Sequence, residues 1–266
     1  MIDKGKMNVA GILIDAVDYE TAVARVVKAA YEGLPFAVSA LAVHGTMTGA
    51  TDSEHRYRLN SFDLLVPDGQ PVRWALNLLH RAMLPDRVYG PELTLRLLAA
   101  AAERQLPVYF YGTTAEVLDR LRTSLHERFP GIRIAGMEPS KFRRLTIDEW
   151  IDLAGRVKDS GAQILFAGLG CPRQEVFAFE LRPHLSMPIV AVGAAFPFIA
   201  GTLRQAPPWM QKRGLEWLFR LTREPRRLFR RYAVTNTQYT LRVLCQALGS
   251  RFPTDGRQPQ SVMLFG

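Results

Sequence analysis

The chain of 266 residues is long enough for one large domain, or for one domain with an appendage. Its composition, 48% hydrophobic and 22% charged, is ordinary for a globular protein that buries a sizeable core. The two cysteines, Cys171 and Cys245, form no CxxC pair, which excludes a disulfide scaffold and a cysteine-rich zinc site and fits a reducing cytoplasm. No apolar run reaches the roughly eighteen residues that a membrane-spanning helix needs. The net charge of +9 predicts an anionic partner.

Short apolar runs alternate with longer segments of helical period along most of the chain. This alternation predicts an α/β fold, with a Rossmann-like, mostly parallel sheet flanked by helices. The predicted strands cover residues 9–14, 36–43, 64–66, 108–111, 132–135, 164–167 and 188–192. The predicted helices cover residues 19–31, 71–80, 91–104, 115–129 and 147–158, with one more after residue 43 and another that ends near residue 183. Asp18 and Thr114 are expected N-caps, and Thr146 with Glu149 is expected to form a capping box.

Three regions are predicted from the change in composition near residue 200. Residues 1–199 form the α/β core. Residues 200–250 form a basic helical appendage that is broken near residues 207–208 and 225, where prolines stand. Residues 251–266 form a loose tail.

The segment from Lys212 to Arg231 carries the most concentrated charge of the chain. Eight basic residues stand against two acids there, a local net charge of +6 out of +9. Apolar residues such as Trp217 and Phe229 lie between the charges, and a basic amphipathic helix with aromatic residues is typical of a membrane interface. A phosphate-bearing substrate and nucleic acid are the other anionic partners, although no RNP-like or helix-turn-helix pattern supports nucleic acid. A solvated helix face is the alternative without a function.

Pro67-Asp68-Gly69 directly follows a predicted strand. In doubly wound sheets, ligands bind at the carboxyl ends of the strands. A carboxylate placed there can accept the proton of an attacking hydroxyl group, which makes Asp68 a candidate general base. Pro-Asp-Gly is also an ordinary turn sequence, and by itself the motif more often marks a turn alone.

Residues 168–175, Gly-Leu-Gly-Cys-Pro-Arg-Gln-Glu, form a second strand-to-helix turn. Backbone N–H groups at such a turn can hold a phosphate, with the cation of Arg173 and the amide of Gln174 as further ligands. The third glycine of a dinucleotide-binding G-x-G-x-x-G motif is missing, which argues against an NAD-dependent enzyme. A plain turn explains Gly168 and Gly170 equally well.

Two shorter motifs are candidate phosphate contacts. Arg87 precedes a predicted helix, where it can clamp a phosphate or lie solvated on the surface. Tyr111-Gly112 opens a strand-to-helix turn that can face a nucleotide, although a helix cap explains it nearly as well. The five histidines have no HxxxH or HExxH spacing, and Asp-x-Asp and Walker A motifs are missing, so we expect neither a metal site nor a cofactor.

These motifs, in their order and spacing, resemble the WecG/TagA/CpsF glycosyltransferase family (family 26) over nearly all of residues 8–235. The matching motifs are Pro67-Asp68-Gly69, Arg87-Val-x-Gly90, Tyr111-Gly112, Gly168-Leu-Gly-x-Pro-x-Gln174-Glu175, Val192-Gly193, Gly201, Arg204-x-Ala-Pro-x-Trp209, Gly214-Leu-Glu-Trp217, Arg220-Leu and Glu224-Pro-x-Arg227.

The resemblance implies a metal-independent, inverting transferase. It would move a sugar of the N-acetylmannosamine or glucose type from a UDP-sugar to a polyprenyl-diphosphate-linked sugar, in the synthesis of teichoic acid, enterobacterial common antigen or exopolysaccharide. It also implies a cytoplasmic protein that the appendage binds peripherally to the anionic inner face of the cell membrane. A homo-oligomer is left open, and no nucleic-acid partner is expected.

The resemblance assigns the general base to Asp68 and places Gln174 in the active-site pocket. It also implies that arginines of the appendage close over the site and hold the diphosphate. The candidate site comprises the catalytic residues Asp68 and Gln174 and the substrate-binding residues Ser39, His44, Gly69, Arg87, Gly112, Gly168, Gly170, Arg173, Glu175, Gly193, Arg204, Arg220, Arg223, Arg227 and Arg230.

One stretch departs from the family pattern. Family members commonly carry Thr-x-Asn at the end of the second strand, where this chain has Ala40 and Ala42 on an ungapped count back from Asp68. Ser39 or His44 could supply a polar group in their place. The departure keeps an alternative open, in which the chain is a catalytically impaired relative that binds UDP or lipid.

Overall fold

The computed structural model describes residues 1–266, apart from the side chains of Pro208, Arg227, Arg230 and Arg231. The strands are β1 (Asp3–Val9), β2 (Ile12–Val17), β3 (Phe36–Leu41), β4 (Leu64–Pro67), β5 (Val108–Gly112), β6 (Ile134–Glu138), β7 (Ile164–Gly168) and β8 (Pro188–Ala191). The helices are α1 (Tyr19–Glu32), α2 (Val43–Thr51), α3 (Ser53–Asn60), α4 (Gln70–His80), α5 (Gly90–Glu103), α6 (Ala115–Arg128), α7 (Ile147–Asp159), α8 (Arg173–Leu181), α9 (Ala195–Ile199), α10 (Pro208–Lys212), α11 (Glu216–Arg223) and α12 (Pro225–Ala247).

A six-stranded sheet in the order β4-β3-β8-β7-β5-β6 lies at the centre of the molecule. All neighbouring pairs in it are parallel, which confirms the predicted α/β class. Strands β4, β5 and β8 are buried along their whole length, because helices cover both faces of a parallel sheet. After β4 the chain crosses the sheet to β5, and such a change of direction opens a crevice beyond the carboxyl ends of the strands.

The core is divided into two clusters, one on each face of this sheet. Neighbouring residues of a strand point to opposite faces, so Tyr111 belongs to one cluster and Phe110 to the other. Phe110 stacks on Phe166 with ring centroids 5.4 Å apart, and Tyr111 stacks on Phe177 of α8 at 5.0 Å. These aromatic pairs fix β5 against β7 and against the helix that follows β7.

The prediction of a single strand over residues 9–14 is wrong. Strands β1 and β2 form an antiparallel hairpin outside the main sheet, in which Val9 pairs with Ile12. Ala10 and Gly11 make the turn between them, with φ of 55° and 98°. The apolar run continues through the turn, and apolar content alone cannot distinguish a tight turn from a strand.

The predicted helix caps are confirmed. The side chains of Asp18 and Thr114 accept hydrogen bonds from the first turns of α1 and α6, and Thr146 with Glu149 forms the capping box of α7. The segment after residue 43 contains two helices rather than one, because Asp52 ends α2 and caps α3. Strand β6 starts two residues later than predicted, and β3 ends at residue 41 rather than 43.

Helices α10 and α12 begin at the two predicted proline positions, an unpredicted break separates α10 from α11, and α12 packs on α2 and α4. Leu228, Tyr239 and Val243 are buried there, and the Tyr239 hydroxyl donates to the Pro71 carbonyl at 3.1 Å. Among the described residues, no helix is both long and apolar enough to cross a membrane. The division between a core and an appendage near residue 200 stays a prediction.

The last residues are held against the core, so the prediction of a loose tail is wrong in this respect. The backbone N–H of Arg257 donates to Ser53 at 3.1 Å, and the N–H of Leu145 donates to Leu264 at 2.8 Å. The N–H of Gly266 donates to Arg143 at 3.0 Å. The polar composition correctly indicated a segment without helices, but it carries no information on backbone contacts made with distant residues.

We expect Gly112→Ala to destabilise the fold. Gly112 has a φ of 125°, and an added Cβ would lie 2.7 Å from the backbone of Gly168. Because both the conformation and the space require glycine, the free energy of unfolding should fall by more than about 1 kcal/mol in urea denaturation. The matched control is Gly155→Ala in α7, where an added Cβ meets nothing within 4 Å. That change should raise the free energy of unfolding by about 0.5–1 kcal/mol, and a similar loss in both variants would contradict the explanation.

Candidate active site

A cavity of about 450 Å³ opens beyond the carboxyl ends of β3, β4, β7 and β8. Core loops form its floor, and residues of α11 and α12 form the opposite wall. The volume falls in the range of roughly 300–1,000 Å³ that small-molecule sites occupy.

Asp68 lies in this cavity at the end of β4. Its backbone N–H donates to the carbonyl of Leu41, which ties the loop to the neighbouring strand. The N–H groups of Gly69 and Gly90 interact with its carboxylate. Burial raises the pKa of Asp68 to about 7; the Arg87 guanidinium opposes this rise, and the Glu216 carboxylate adds to it. A carboxyl group with a pKa near neutrality is suited to accept a proton at physiological pH.

Arg87 is buried in the cavity and pairs with Glu216 of α11. Only 6% of the Arg87 side chain and 17% of the Glu216 side chain are exposed. The guanidinium also lies over the ring of Tyr89, 4.4 Å from its centroid. The cation that the sequence offered as a phosphate clamp is therefore in the site, with an acid of the C-terminal helices as its partner.

Three helices point their N-termini at the cavity: α2, α4 and α8. In the described structure, none of the three has a side chain that caps its first turn. The positive end of each helix dipole favours an anion at this position. Arg204 and Arg220 add positive charge to the wall of the same cavity.

A hydrogen-bonded network fixes the turn after β7. The Ser39 hydroxyl and the Gln174 amide both donate to Oε1 of Glu175, each at 2.9 Å. The side-chain oxygen Oε1 of Gln174 accepts a hydrogen bond from the backbone N–H of Gly170 at 3.1 Å. Burial raises the pKa of Glu175, and the donors from Gln174 and Ser39 oppose that rise. The network holds the Gln174 side chain in one orientation at the cavity wall.

Most of the candidate residues come together in this cavity. Those that line it are Asp68, Gln174, His44, Gly69, Arg87, Gly170, Glu175, Gly193, Arg204 and Arg220. Ser39 is fully buried and acts through Glu175. The side chains of Arg227 and Arg230 lie outside the described residues.

Besides Ser39, four candidate residues do not line the cavity. Gly112 and Gly168 are required by packing, since an added Cβ on Gly168 would lie 2.6 Å from the ring of Phe196. The guanidinium of Arg173 lies 5.9 Å from the ring of Phe265, and that of Arg223 lies 5.5 Å from a ring of its own helix. Glycines at strand ends and arginines beside phosphate-binding motifs have the same sequence signature whether they pack or bind.

Ala40 and Ala42 line the cavity next to Asp68. Ala40 pairs in register with Val66 of β4, and its Cβ lies 3.1 Å from the position that a Cβ on Gly90 would take. These two methyl groups make the wall beside the carboxylate apolar. His44 lines the cavity at the start of α2.

Several lining residues were not candidates from the sequence. They are Gln70, Tyr89, Cys171, Glu216, Trp217, Tyr232 and Asn236, among others. Tyr89 and Glu216 lie inside motifs that carried the family resemblance. Their position within those motifs was the sequence signal by which they could have been identified as site residues. Among the described residues, no group of three or more His, Cys, Asp or Glu side chains is placed to hold a metal ion.

Residues 7–253 match the family described as "Glycosyl transferase WecG/TagA/CpsF family". A similar protein from Bacillus spizizenii, named N-acetylglucosaminyldiphosphoundecaprenol N-acetyl-beta-D-mannosaminyltransferase, is 32% identical over 171 residues, which are 64% of either chain. A protein of the same name from Bacillus subtilis is 28% identical over 188 residues, 70% of either chain. The match thus spans 64% of the length of the first relative.

We expect Glu216→Gln to lower the pKa of Asp68. The substitution removes a nearby negative charge and leaves Arg87 without its carboxylate partner, and both effects favour the ionised form of Asp68. Carbon-13 NMR of the side-chain carboxyl groups, assigned with Asp68→Asn, measures this pKa directly. Glu103→Gln removes an exposed charge on α5 and should leave the pKa unchanged. An unaltered pKa in the Glu216 variant would remove the electrostatic link between α11 and Asp68.

Proposed function

Because the chain belongs to the WecG/TagA/CpsF family of glycosyltransferases, we propose that it transfers a sugar from a UDP-sugar to a polyprenyl-diphosphate-linked sugar in cell-surface polysaccharide or teichoic acid synthesis. The observation that carries this proposal is the half-buried Asp68, with a pKa near 7, in a cavity surrounded by helix N-termini and arginines. The names of the two Bacillus relatives describe an N-acetylmannosaminyl transfer to a diphosphoundecaprenol-linked sugar.

Asp68 acts as the general base of the proposed reaction. An acceptor hydroxyl group gives its proton to the Asp68 carboxylate while its oxygen bonds to the anomeric carbon of the donor. The bond from that carbon to the UDP oxygen breaks, and UDP leaves with the electron pair. Attack from the opposite face inverts the anomeric carbon, which agrees with the β-linkage in the names of the relatives.

The leaving diphosphate is held by the positive groups of the cavity. Helices α2, α4 and α8 direct the positive ends of their dipoles at the position where charge develops. Arg204 and Arg220 contribute cations from the C-terminal segment, and the planar guanidinium suits bidentate contact with phosphate. Arg87 joins them when the diphosphate replaces Glu216 as its partner. Gln174 has a positioning role, because its amide is committed to Gly170 and Glu175.

The donor sugar is of the N-acetylmannosamine or glucose type. Ala40 and Ala42 give the wall beside Asp68 no hydrogen-bonding side chain, so recognition of the sugar differs there from the Thr-x-Asn pattern. The same observation favours a second candidate function, a relative that binds UDP or lipid without transfer. Restoring both polar groups, with Ala40→Thr and Ala42→Asn in one chain, separates the two: a gain of transfer identifies an impaired site.

The C-terminal helices attach the protein to the inner face of the cell membrane. Trp209, Trp217 and Phe229 are exposed by 55%, 39% and 66%, and exposed basic residues stand between them. Large exposed aromatic side chains beside cations fit the interface of an anionic bilayer. Such attachment brings the site to an acceptor whose polyprenyl chain stays in the bilayer.

Asp68→Asn should abolish transfer and leave UDP binding intact. Loss of the base lowers the rate by a factor of roughly 10²–10⁴, while the groups that hold the diphosphate are unchanged. The assay measures UDP release from a panel of UDP-sugars in EDTA, with and without a short-chain polyprenyl-diphosphate-linked N-acetylglucosamine. UDP affinity is measured by calorimetry.

Asp119→Asn on the exposed face of α6 is the matched control and should behave as the unaltered chain. Full transfer activity in the Asp68 variant would exclude Asp68 as the base. Absence of acceptor-dependent UDP release from the unaltered chain with every donor would contradict the proposed transfer.

Neutralising exposed arginines of the C-terminal helices should weaken membrane binding. Each basic residue near an anionic surface contributes about 1 kcal/mol, so Arg213, Arg223 and Arg226 changed together to Gln should reduce the partition coefficient by roughly 10²-fold. The measurement is co-sedimentation with vesicles that contain phosphatidylglycerol.

The control triple variant changes Arg122, Arg128 and Arg133 to Gln, which removes the same charge from exposed positions in α6 and just after it. Its binding should change far less. Equal losses in the two triple variants would show that net charge, and not the C-terminal surface, determines binding.

A further inference from the structure

A second cavity of about 230 Å³ adjoins the first and shares Gln70, Arg87 and Tyr89 with it. It lies between the core, on the side of α1 and α5, and residues 205–212 of the C-terminal segment. Its volume is below the roughly 300–1,000 Å³ of a complete small-molecule site, which suits one sugar ring better than a nucleotide-sugar.

The lining of the smaller cavity is rich in groups that bind hydroxyls. Asp86 and Glu92 offer carboxylate oxygens, and Gln205 and Gln211 offer amides that both donate and accept. These groups suit a neutral polyhydroxyl ring, whose hydroxyls can donate to the carboxylates and whose oxygens can accept from the amides. Lys212 is the exposed cation of this lining and belongs to the basic segment proposed to face the membrane.

A buried acceptor lies in a residue that lines both cavities. Gln70 is 4% exposed, and its amide nitrogen donates to Asp86 at 3.0 Å. Its oxygen Oε1 is buried and has no hydrogen-bond partner among the described residues. Buried polar atoms are almost always hydrogen-bonded in native proteins, so this oxygen is an acceptor that remains available beside the cavity.

The smaller cavity is also close to the proposed base. The Tyr19 hydroxyl, which lines it, accepts from the N–H of Tyr89 at 2.9 Å. Burial raises the pKa of Tyr19 to about 12, and the charge of Asp68 contributes to that rise. The walls of the two cavities therefore meet within electrostatic reach of Asp68.

We propose that the smaller cavity binds the sugar of the acceptor, with Lys212 at its edge contacting the diphosphate that links this sugar to its lipid. The inference rests on the proposed function, in which the larger cavity binds the UDP-sugar. The acceptor hydroxyl would then approach Asp68 from the side of Gln70 and Tyr89, while the donor diphosphate lies against the helix N-termini.

Binding of the water-soluble headgroup, N-acetylglucosamine 1-diphosphate, tests this assignment without turnover. Calorimetry on the full chain, with and without saturating UDP, should detect the headgroup in both cases, because the two ligands occupy different cavities. Gln70→Leu should weaken headgroup binding by roughly five- to tenfold, because it removes the hydrogen-bonding amide. Lys212→Gln changes an exposed residue that cannot disturb the core, and it should weaken headgroup binding severalfold.

Arg204→Gln in the larger cavity is the reciprocal control. It should weaken UDP binding while leaving headgroup binding unchanged. Competition between the headgroup and UDP, undetectable headgroup binding, or normal headgroup affinity in both the Gln70 and Lys212 variants would overturn the assignment. Failure of the proposed function is a separate result, the absence of acceptor-dependent UDP release from the unaltered chain.

Discussion

The ion pair between Arg87 and Glu216 is the interaction on which the arrangement of the site depends. It joins the core to α11 beside Asp68, with both side chains mostly removed from water. Removing one partner of a buried pair leaves an uncompensated charge and costs about 3–5 kcal/mol, so the loss of either side chain alone would disturb the site. The pair also affects Asp68, whose pKa is lowered by Arg87 and raised by Glu216. An anion that replaces Glu216 as the partner of Arg87 would end this contact between α11 and the core. It would also change the charge next to Asp68.

The gathering of helix N-termini at the cavity follows from the topology of the sheet. All six strands run parallel, so their carboxyl ends meet at one edge. Helices α2, α4 and α8 follow β3, β4 and β7, and they therefore begin at that same edge. Their dipoles add to the charges of Arg204 and Arg220. The adjoining smaller cavity contains Asp86 and Glu92 together with Arg87 and Lys212, and its smaller volume and its hydroxyl-binding side chains are the basis for assigning different substrate parts to the two cavities.

The sequence predicted those features whose physical cause is local. The side chains of Asp18 and Thr114 cap helices through hydrogen bonds to N–H groups three residues away, and such caps are visible in the sequence. Apolar runs of strand length predicted the strands of the sheet, because both faces of a parallel sheet are buried. The position of Asp68 after a strand then placed it at the ligand-binding edge. The hairpin turn at Ala10 and Gly11 escaped notice because its residues continue an apolar run.

The sequence by itself determined the α/β class, the capped helices and the edge at which Asp68 and Gln174 meet. Only the tertiary structure decided that Glu216 reaches Arg87 across 129 positions of the chain, and that the final residues pack on the core. It also showed that Gly112 is needed for close packing rather than for lining the cavity. Periodicity and caps arise from residues a few positions apart, whereas these contacts join distant segments whose approach depends on how every intervening element packs.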